Sequence, residues 1–598
     1  MMIKKPAREA PASSLECQAN ASHPAVHNEP VLAVKNIQGN IIGGFNKDFQ
    51  TLLFLKIVNV SNFKSWLSSL VPFIATAEEV LAFNRLFKEI RKRRGESRAV
   101  QATWINVAFS FNALKRLKDD ADDFNDEAFK QGLAARSHEL GDPVEANAEG
   151  NKHNWVVGGP NNEADVVLII ASDDRNDLFA EVARIEQSIY AARTAEGLPT
   201  HSGVQIIYKQ HGTVLPPPLK GHEHFGFLDG ISQPGLRGRI SNAPNDVLTA
   251  RQNPENPNQG KPGQNLLWPG EFVFGYQGQD PEADTITTPG EVSDAGPEWA
   301  KDGAFLVFRR LRQDVPGFHA FLDHTAEHFG IDSSLFGAKC VGRWPSGAPI
   351  MRAPKADNKE LADNDCANNK FEFRGDEEDA KKPESHKHSE NGHGEGLCKK
   401  DNFPEAKPDL KGLVCPFAGH IRKAYPRDDE FDSAPEGESP LNNVSTQTHR
   451  LLRRGIPFGE PYRPTDDPEF ADSGDRGLLF LAYQTSIVDQ FEFVTKFWVN
   501  NPDFKEPGSG HDPILGQNNQ DENRERIFKF TVEKDGKPET HEVTLRQDWV
   551  IPTGGGYFFS PSISALKLLS TTDSKPSTTD YKPEEYVALI EENIPDRG

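Results

Sequence analysis

The chain reads as an α+β protein, a tandem of two ferredoxin-like domains with antiparallel sheets. Three observations carry this. Residues 52–209 run through elements in the order βαββαβ, the order of a ferredoxin-like unit. Residues 271–569 repeat similar pieces at wider spacing. Finally, 598 residues are too many for one ordinary core, which stops growing at about 250–300 residues.

The first unit opens on Leu52–Val60, an apolar run rich in β-formers. Phe63–Leu70 and Glu78–Ile90 carry apolar residues at helical spacing. Thr103–Ser110 reads as a strand, and Asp165–Ser172 as a nearly continuous apolar one. Leu178, Val182, Ile185 and Ile189 fall on one helical face, and Gly203–Lys209 is a further strand. In the second unit Glu271–Tyr276 and Ala304–Arg310 read as strands and Pro316–Phe329 as a helix. Gly477–Tyr483 is a strand leading into a helix with Ile487, Phe491, Val494 and Trp498 on one face. Gly556–Ser560 is the last strand, followed by Ile563–Leu569, and Phe528–Glu533 with Glu542–Arg546 flank Asp535-Gly536 as an added hairpin.

The expected organisation is a disordered tail over 1–30, an N-terminal domain over 31–213 and a C-terminal domain over 214–598 with an acidic loop insertion at 355–411. Asn242–Gln264, Lys355–Lys411 and Asp428–Gln447 are poor in apolar residues and are expected as mobile surface loops. Hydrophobic residues make up 36% and mean hydropathy is -0.61, so the core is diluted by polar loops. A formal charge of -22 repels nucleic-acid phosphates and anionic membranes, so neither is expected as a partner. No apolar run is long enough to span a bilayer. Met1–Pro30 has no apolar core of a secretory signal. Cytoplasmic residence is the expectation, although a chain whose leader had been removed would read the same. Five scattered cysteines without a CxxC argue against a disulfide framework or a zinc site.

Three segments carry chemistry. In Glu223–Pro234 an acid, Asp229, stands between Gly226 and Gly230 among Phe225, Phe227 and Leu228. A carboxylate in an apolar collar is costly unless paired or used, which makes Asp229 a candidate acid/base. In Val414–Arg427 one histidine, His420, follows small and apolar residues and precedes a basic cluster. It suits an axial ligand to haem iron, with Arg422, Lys423 and Arg427 placed to pair with propionates; an ordinary helix-associated histidine beside a solvated basic face reads equally well. In Leu451–Gly459 two arginines precede Gly-Ile-Pro-Phe-Gly, and a buried guanidinium stabilises a developing anion without titrating.

Taken in order, Phe225–Pro234, Cys415–Arg427, Arg453–Gly459 and Arg476–Gln484 resemble the dye-decolourising peroxidases, a family of haem peroxidases, in a long-insertion form. Asn36–Asn40, Phe305–Asp314, Gly342–Trp344 and Gly555–Phe559 extend the resemblance over residues 32–570, with gaps. It implies haem b in the C-terminal domain, His420 as proximal iron ligand and Asp229 as distal acid/base. Arg453, four residues before Pro457 as the family spacing requires, matches the distal arginine in preference to Arg454. Leu478 and Phe480 match apolar residues of the distal pocket, and Asp512 matches the carboxylate bonded to the proximal histidine. The implied activity uses hydrogen peroxide to oxidise dyes and phenolic or other bulky aromatic reductants in one-electron steps through a ferryl haem. Electrons from large dyes would pass through a surface Tyr or Trp. The chain would act as a monomer or homo-oligomer. An acid optimum is expected, because the reference pKa of Asp is ~4 against ~6.5 for His.

The alternative is a haem-binding or haem-handling protein without turnover, for which Asp229 and Arg453 would have no use. His222-x-His224 lacks a third and fourth ligand at telling spacing, and His386, His388 and His393 stand in the polar insertion.

Overall fold

The computed structural model describes residues 29–94, 100–190, 202–253, 255–375, 401–429, 444–463, 474–518 and 524–571. The first unit comprises β1 (Phe49–Ile57), α1 (Val60–Leu70), α2 (Ala77–Arg94), β2 (Thr103–Phe109), β3 (Val166–Ser172), α3 (Arg175–Tyr190) and β4 (Val204–Thr213). Its strands are antiparallel in the order β4-β1-β3-β2. The second unit comprises β5 (Ala304–Gln313), α4 (Val315–Phe329), the short β6 (Leu452–Arg453) and β7 (Ile456–Phe458), and β8 (Gly477–Gln484). An added hairpin of β9 (Arg526–Lys534) and β10 (Lys537–Leu545) precedes β11 (Val550–Ser560) and α5 (Ile563–Leu569). Its order, β11-β5-β8-β6 with β7 also on β8, repeats the ferredoxin-like arrangement of the first.

The two sheets are one. β11 pairs with β2 at Phe559 and Phe109, giving a sheet of nine strands. Its far edges curl toward each other: Gly212 on β4 lies so close to β7 that a Cβ there would stand 2.6 Å from Ile456 Cγ2. The apolar runs follow from this curvature, since both faces of most strands are covered. Leu52, Phe54, Val167, Ile169, Leu306, Phe308, Leu479 and Leu481 fill the space inside the curl. Leu53, Leu55, Ile105, Val107, Leu168 and Ile170 pack outward against the helices. The hairpin turns through Asp535 (φ 52°) and Gly536 (φ 73°), two left-handed residues as a tight two-residue loop requires. It packs Phe530 against Phe329 of α4 at 5.5 Å between centroids.

Four expectations need correction. Glu271–Tyr276 is no strand: Pro269–Glu271 is a 3₁₀ turn, and Gly275 takes φ +85°. Phe272 and Val273 enter the inner core while Phe274 enters the outer, so the apolar run plugs a gap between layers. The expected helix after β8 forms as two π-helical segments, Ile487–Glu492 and Val494–Val499, with Ile487, Val494 and Trp498 buried. The insertion at 355–411 is not wholly a surface loop, because Leu361, Ala362, Ala367, Phe371 and Phe373 belong to a buried cluster with Trp344 and Cys415. Cys366 is disulfide-bonded, where none was expected. The 1–30 tail up to residue 28, most of Asp428–Gln447, and His386, His388 and His393 lie outside the described residues.

Buried ion pairs link the polar excursion of the first unit to the second, Arg309 with Asp142 and Arg136 with Glu492. Arg136 donates from Nε and Nη2 to Glu492 at 2.7 and 2.5 Å, and Tyr557 Oη donates to Glu492 Oε1 at 2.9 Å. The two side chains are 9% and 1% exposed. Removing one partner strands a charge in the interior, which costs about 3–5 kcal/mol. Arg136→Met is therefore expected to destabilise the fold by about that amount, read from urea unfolding; an unchanged midpoint would show that the pair does not tie the units together.

Candidate active site

A cavity of about 320 Å³ opens beside the second half of the sheet, lined by Asp229, Arg453, His420, Leu478 and Phe480 among others. Strand alternation places its apolar wall. On β8, Leu479, Leu481 and Tyr483 point into the inner core, so Leu478 and Phe480 face the other way. They pair with Leu311 and Arg309 of β5, which line the same cavity.

Asp229 is delivered by a braced turn. Gly226 (φ +94°) and Gly230 (φ +78°) are left-handed, and neither would meet an atom within 4 Å if it carried a Cβ. The glycines therefore serve backbone conformation, not close approach. Glu223 holds the turn by accepting from Phe225 N at 2.8 Å and Phe227 N at 2.9 Å, and from Gln313 Nε2. Of the apolar residues expected around Asp229, Phe225 and Phe227 pack into a core with Val315 and Phe318 and, with Leu228, also line the cavity that Asp229 faces. Asp229 is 41% exposed, but to the cavity, so it is still withdrawn from bulk water. Its Oδ1 accepts from Gly230 N at 2.6 Å and Arg453 Nη1 at 3.1 Å. Desolvation pushes the carboxyl up, but Arg453 and the Gly230 amide outweigh it and hold the pKa below its ordinary value.

Arg453 is aimed by its second bond, Nη2 to Ser232 O at 3.1 Å. Its neighbour Arg454 spends its guanidinium on the carbonyls of Asn40, Ile41, Ile42 and Arg453 and takes no part in the cavity.

His420 starts a short helix, His420–Ala424. Its Nδ1 is 2.7 Å from Asp512 Oδ2, and Asp512 is fully buried, its Oδ1 accepting from Ile514 N and Leu515 N. This fixes the imidazole so that Nε2 is left for the cavity. Burial pushes the His420 pKa down, but the Asp512 charge and hydrogen bond more than reverse it, and the pKa is raised. Arg422 and Lys423, expected to pair with propionates, do not line the cavity. Arg422 is buried between Asp429, Asp409 and Cys415 O, and Lys423 donates to Asn501 O and Phe504 O. They anchor the histidine's helix instead. Arg427 does line the cavity, though Nη1 and Nη2 already donate to Asn369 and Phe371.

Several functional candidates escaped the sequence. Arg343 and Arg450 are buried in the cavity wall near Arg427. Burial, then Arg427, pushes Arg343 down to about 9. Arg450 lies over the Tyr425 ring at 3.6 Å and is pushed down by burial, with Arg427 and Arg453 adding to it. The Gly-Arg-Trp at 342–344 was a visible signal for Arg343, but nothing marked its charge as unmatched. A cavity with one fixed imidazole, an apolar wall and a cluster of mutually repelling guanidinium groups fits a flat, iron-bearing dianion such as haem. Of the His222/His224 pair, His224 Nε2 is engaged with Phe458 O at 2.8 Å. Among the described residues no group of three or more metal-ligating side chains occurs.

The model of the DyP dimeric α+β barrel domain matches residues 36–213. Peroxidase 2 of Mycetinis scorodonius is 32% identical over 549 residues, 90% of this chain and 87% of that protein. The dye-decolorizing peroxidase of Mycena epipterygia is 31% identical over 561 residues, 91% of this chain and 88% of that protein. Among solved structures, an ancestral D-type dye decolorizing peroxidase superposes with a TM-score of 0.67 at 32% identity, covering 91% of this chain and 100% of that one. A mutant of the dye-decolorizing peroxidase from Pleurotus ostreatus gives 0.67 at 31% identity, with 91% and 100% covered.

Asp512→Asn keeps the shape and removes the charge. With burial then dominating, the His420 pKa is expected to fall below its ordinary value of about 6.5. An NMR titration of His420 in haem-free protein reads the shift, and an unmoved value would mean that Asp512 does not govern the imidazole.

Proposed function

We propose a function from one premise: the chain belongs to the dye-decolourising peroxidase family. It is therefore a peroxidase, and its partners are hydrogen peroxide and reducing substrates. The finer reading is that haem b sits in the cavity with His420 as its iron ligand. The observation that carries it is the Asp229–Arg453 pair sharing one cavity with an imidazole whose Nδ1 is committed to Asp512. Among the described residues, the free cysteines Cys340 and Cys415 are buried outside the cavity lining.

When bound, haem supplies the iron at which the peroxide bond is cleaved and the store for two oxidising equivalents. The protein's part is proton transfer and charge stabilisation. Asp229 Oδ1 is occupied by Gly230 and Arg453, so Oδ2 is the atom that takes a proton from one peroxide oxygen and returns it to the other, which leaves as water. Arg453 stabilises the negative charge that builds on the departing oxygen. Leu478 and Phe480 keep bulk water from the reacting oxygens. The Asp512 carboxylate makes the imidazole a stronger donor and fixes its ring. Bulky aromatic reductants would supply the electrons, one at a time.

The depressed pKa of Asp229 fixes the sign of the pH dependence. The base is ionised above its lowered pKa and is lost only as pH falls through that value, so turnover persists into acid. Asp229→Asn is expected to slow the reaction with peroxide by about 10²–10⁴-fold, the usual contribution of a positioned acid/base, with haem still bound. Asp229→His should restore part of the rate but move the acid limb up by about 2 units or more. Stopped-flow mixing with peroxide across pH measures both, and an Asn variant that reacts at the wild-type rate would remove Asp229 from the mechanism.

A further inference from the structure

The peroxide chemistry makes no demand on residues 359–375, yet this segment packs behind Arg343 and Arg427, which line the cavity. Both guanidinium groups turn to one acceptor, Asn369 Oδ1, Arg343 Nη2 at 3.0 Å and Arg427 Nη2 at 2.7 Å. Arg343 Nη1 also donates to Gly347 O and Asn368 O, and Arg427 Nη1 to Asn369 O and Phe371 O. Every one of these acceptors is a carbonyl. Carbonyls satisfy N–H groups without cancelling charge, so two like charges remain, held around one oxygen in a desolvated wall where they repel. The carboxyl that acts on Arg427 from this segment, Glu372, is a weakened counter-charge: burial opposes its ionised form, and although Arg427 opposes this, Asp428 adds to it and its pKa is pushed up to about 8.

Asn369 is itself fixed. It is buried, and its Nδ2 donates to Gly263 O at 2.7 Å. Gly263, at φ +76°, comes so close that a Cβ there would stand 1.8 Å from Asn369 O. Arg427 has a left-handed backbone, φ +59°, uncommon outside glycine, and its bonds to Asn369 and Phe371 hold it there. Aspartate would match the shape of asparagine at 369 but would neutralise one cation and lose the donor to Gly263 O.

We propose that Asn369 is a positioning residue for anion recognition, its uncharged amide oxygen aiming Arg343 and Arg427 at the carboxylates of haem while leaving both positive charges uncancelled. This rests on the haem reading above, and the test separates the two. Dissociation constants are measured for haem and for haem dimethyl ester, which has the same ring without the carboxylate charges, on the full chain and on Asn369→Asp and Asn369→Ala. The wild type is expected to prefer haem over the ester by tenfold or more. Asn369→Asp should cut that preference about tenfold and Asn369→Ala by a smaller factor, with ester binding changed less than twofold in both. A preference that stays at the wild-type value in both variants overturns the proposal and leaves the haem reading intact. Equal weakening of haem and ester also overturns it, since that is the mark of a merely structural residue. A wild-type chain that gives no Soret band with either compound sinks the haem reading and the proposal together. If Asn369→Asp does not fold, as judged by circular dichroism, Asn369→Ala alone decides by the same ratio.

Discussion

The alternation of side chains along β5 and β8 is the constraint on which the site depends. Each strand divides its residues between the inner core and the cavity, with Phe308, Leu479 and Leu481 on one side and Arg309, Leu311, Leu478 and Phe480 on the other. A slip of one residue would send the cavity wall into the core and the core into the cavity. The register is pinned where it matters. Gly477 lies against Leu311 O so closely that a Cβ would stand 1.9 Å away, and the pairs Leu478–Leu311 and Phe480–Arg309 follow from it. The apolar wall of the cavity is thus a consequence of sheet registry, and registry is a consequence of the nine strands forming one curled sheet.

Within that frame the proposed mechanism gives two carboxylates opposite tasks. Arg453 draws the Asp229 pKa down, as the proposed base requires, whereas Asp512 draws the His420 pKa up, as the proposed donor requires. In both cases burial opposes the partner and loses. The arrangement works because each charge is matched by one fixed neighbour instead of by water. The chain carries a net charge of -22, yet its cavity wall is cationic at Arg343, Arg427 and Arg450. Overall charge therefore describes the outer surface, and says nothing about what the interior attracts.

Most strands and helices of the fold were legible because their apolar periodicity is strong and local. Leu178, Val182, Ile185 and Ile189 could hardly be anything but one helix face, and all four are buried there. Glu271–Tyr276 misled because an apolar run says that a segment is buried without saying that it is extended. Three apolar side chains in succession can serve two cores from a turn. At the site, Asp229, Arg453, His420, Leu478 and Phe480 were nameable through ordered motifs, and the cavity brings them together, with Asp512 bonded to His420 from outside its lining. Arg422 and Lys423 were not separable from Arg427 by sequence, because all three are basic residues on one short segment. Which of them faces the cavity is decided by Asp409, Asp429, Asn501 and Phe504, residues brought there by the rest of the fold.

The polar segment at 359–375 shows why such positions stay hidden. Its composition reads as a solvated loop, but its contribution is made with backbone and amide oxygens, which composition does not register. Like charges can be held together in a buried wall by carboxylates or by carbonyls. Carboxylates bind guanidinium more strongly, but each one cancels a charge that an anionic cofactor would otherwise meet. Carbonyls leave the charge in place, and they must be imported as a length of chain with the right curvature. Asn369, Phe371 and Asn368 are that import, and the apolar side chains Leu361, Phe371 and Phe373 are what keep it folded against the wall. The same stretch therefore needs a few buried apolar anchors to be ordered and a run of uncharged polar groups to be useful, and a segment built that way looks dispensable until its oxygens are traced to the arginines they hold.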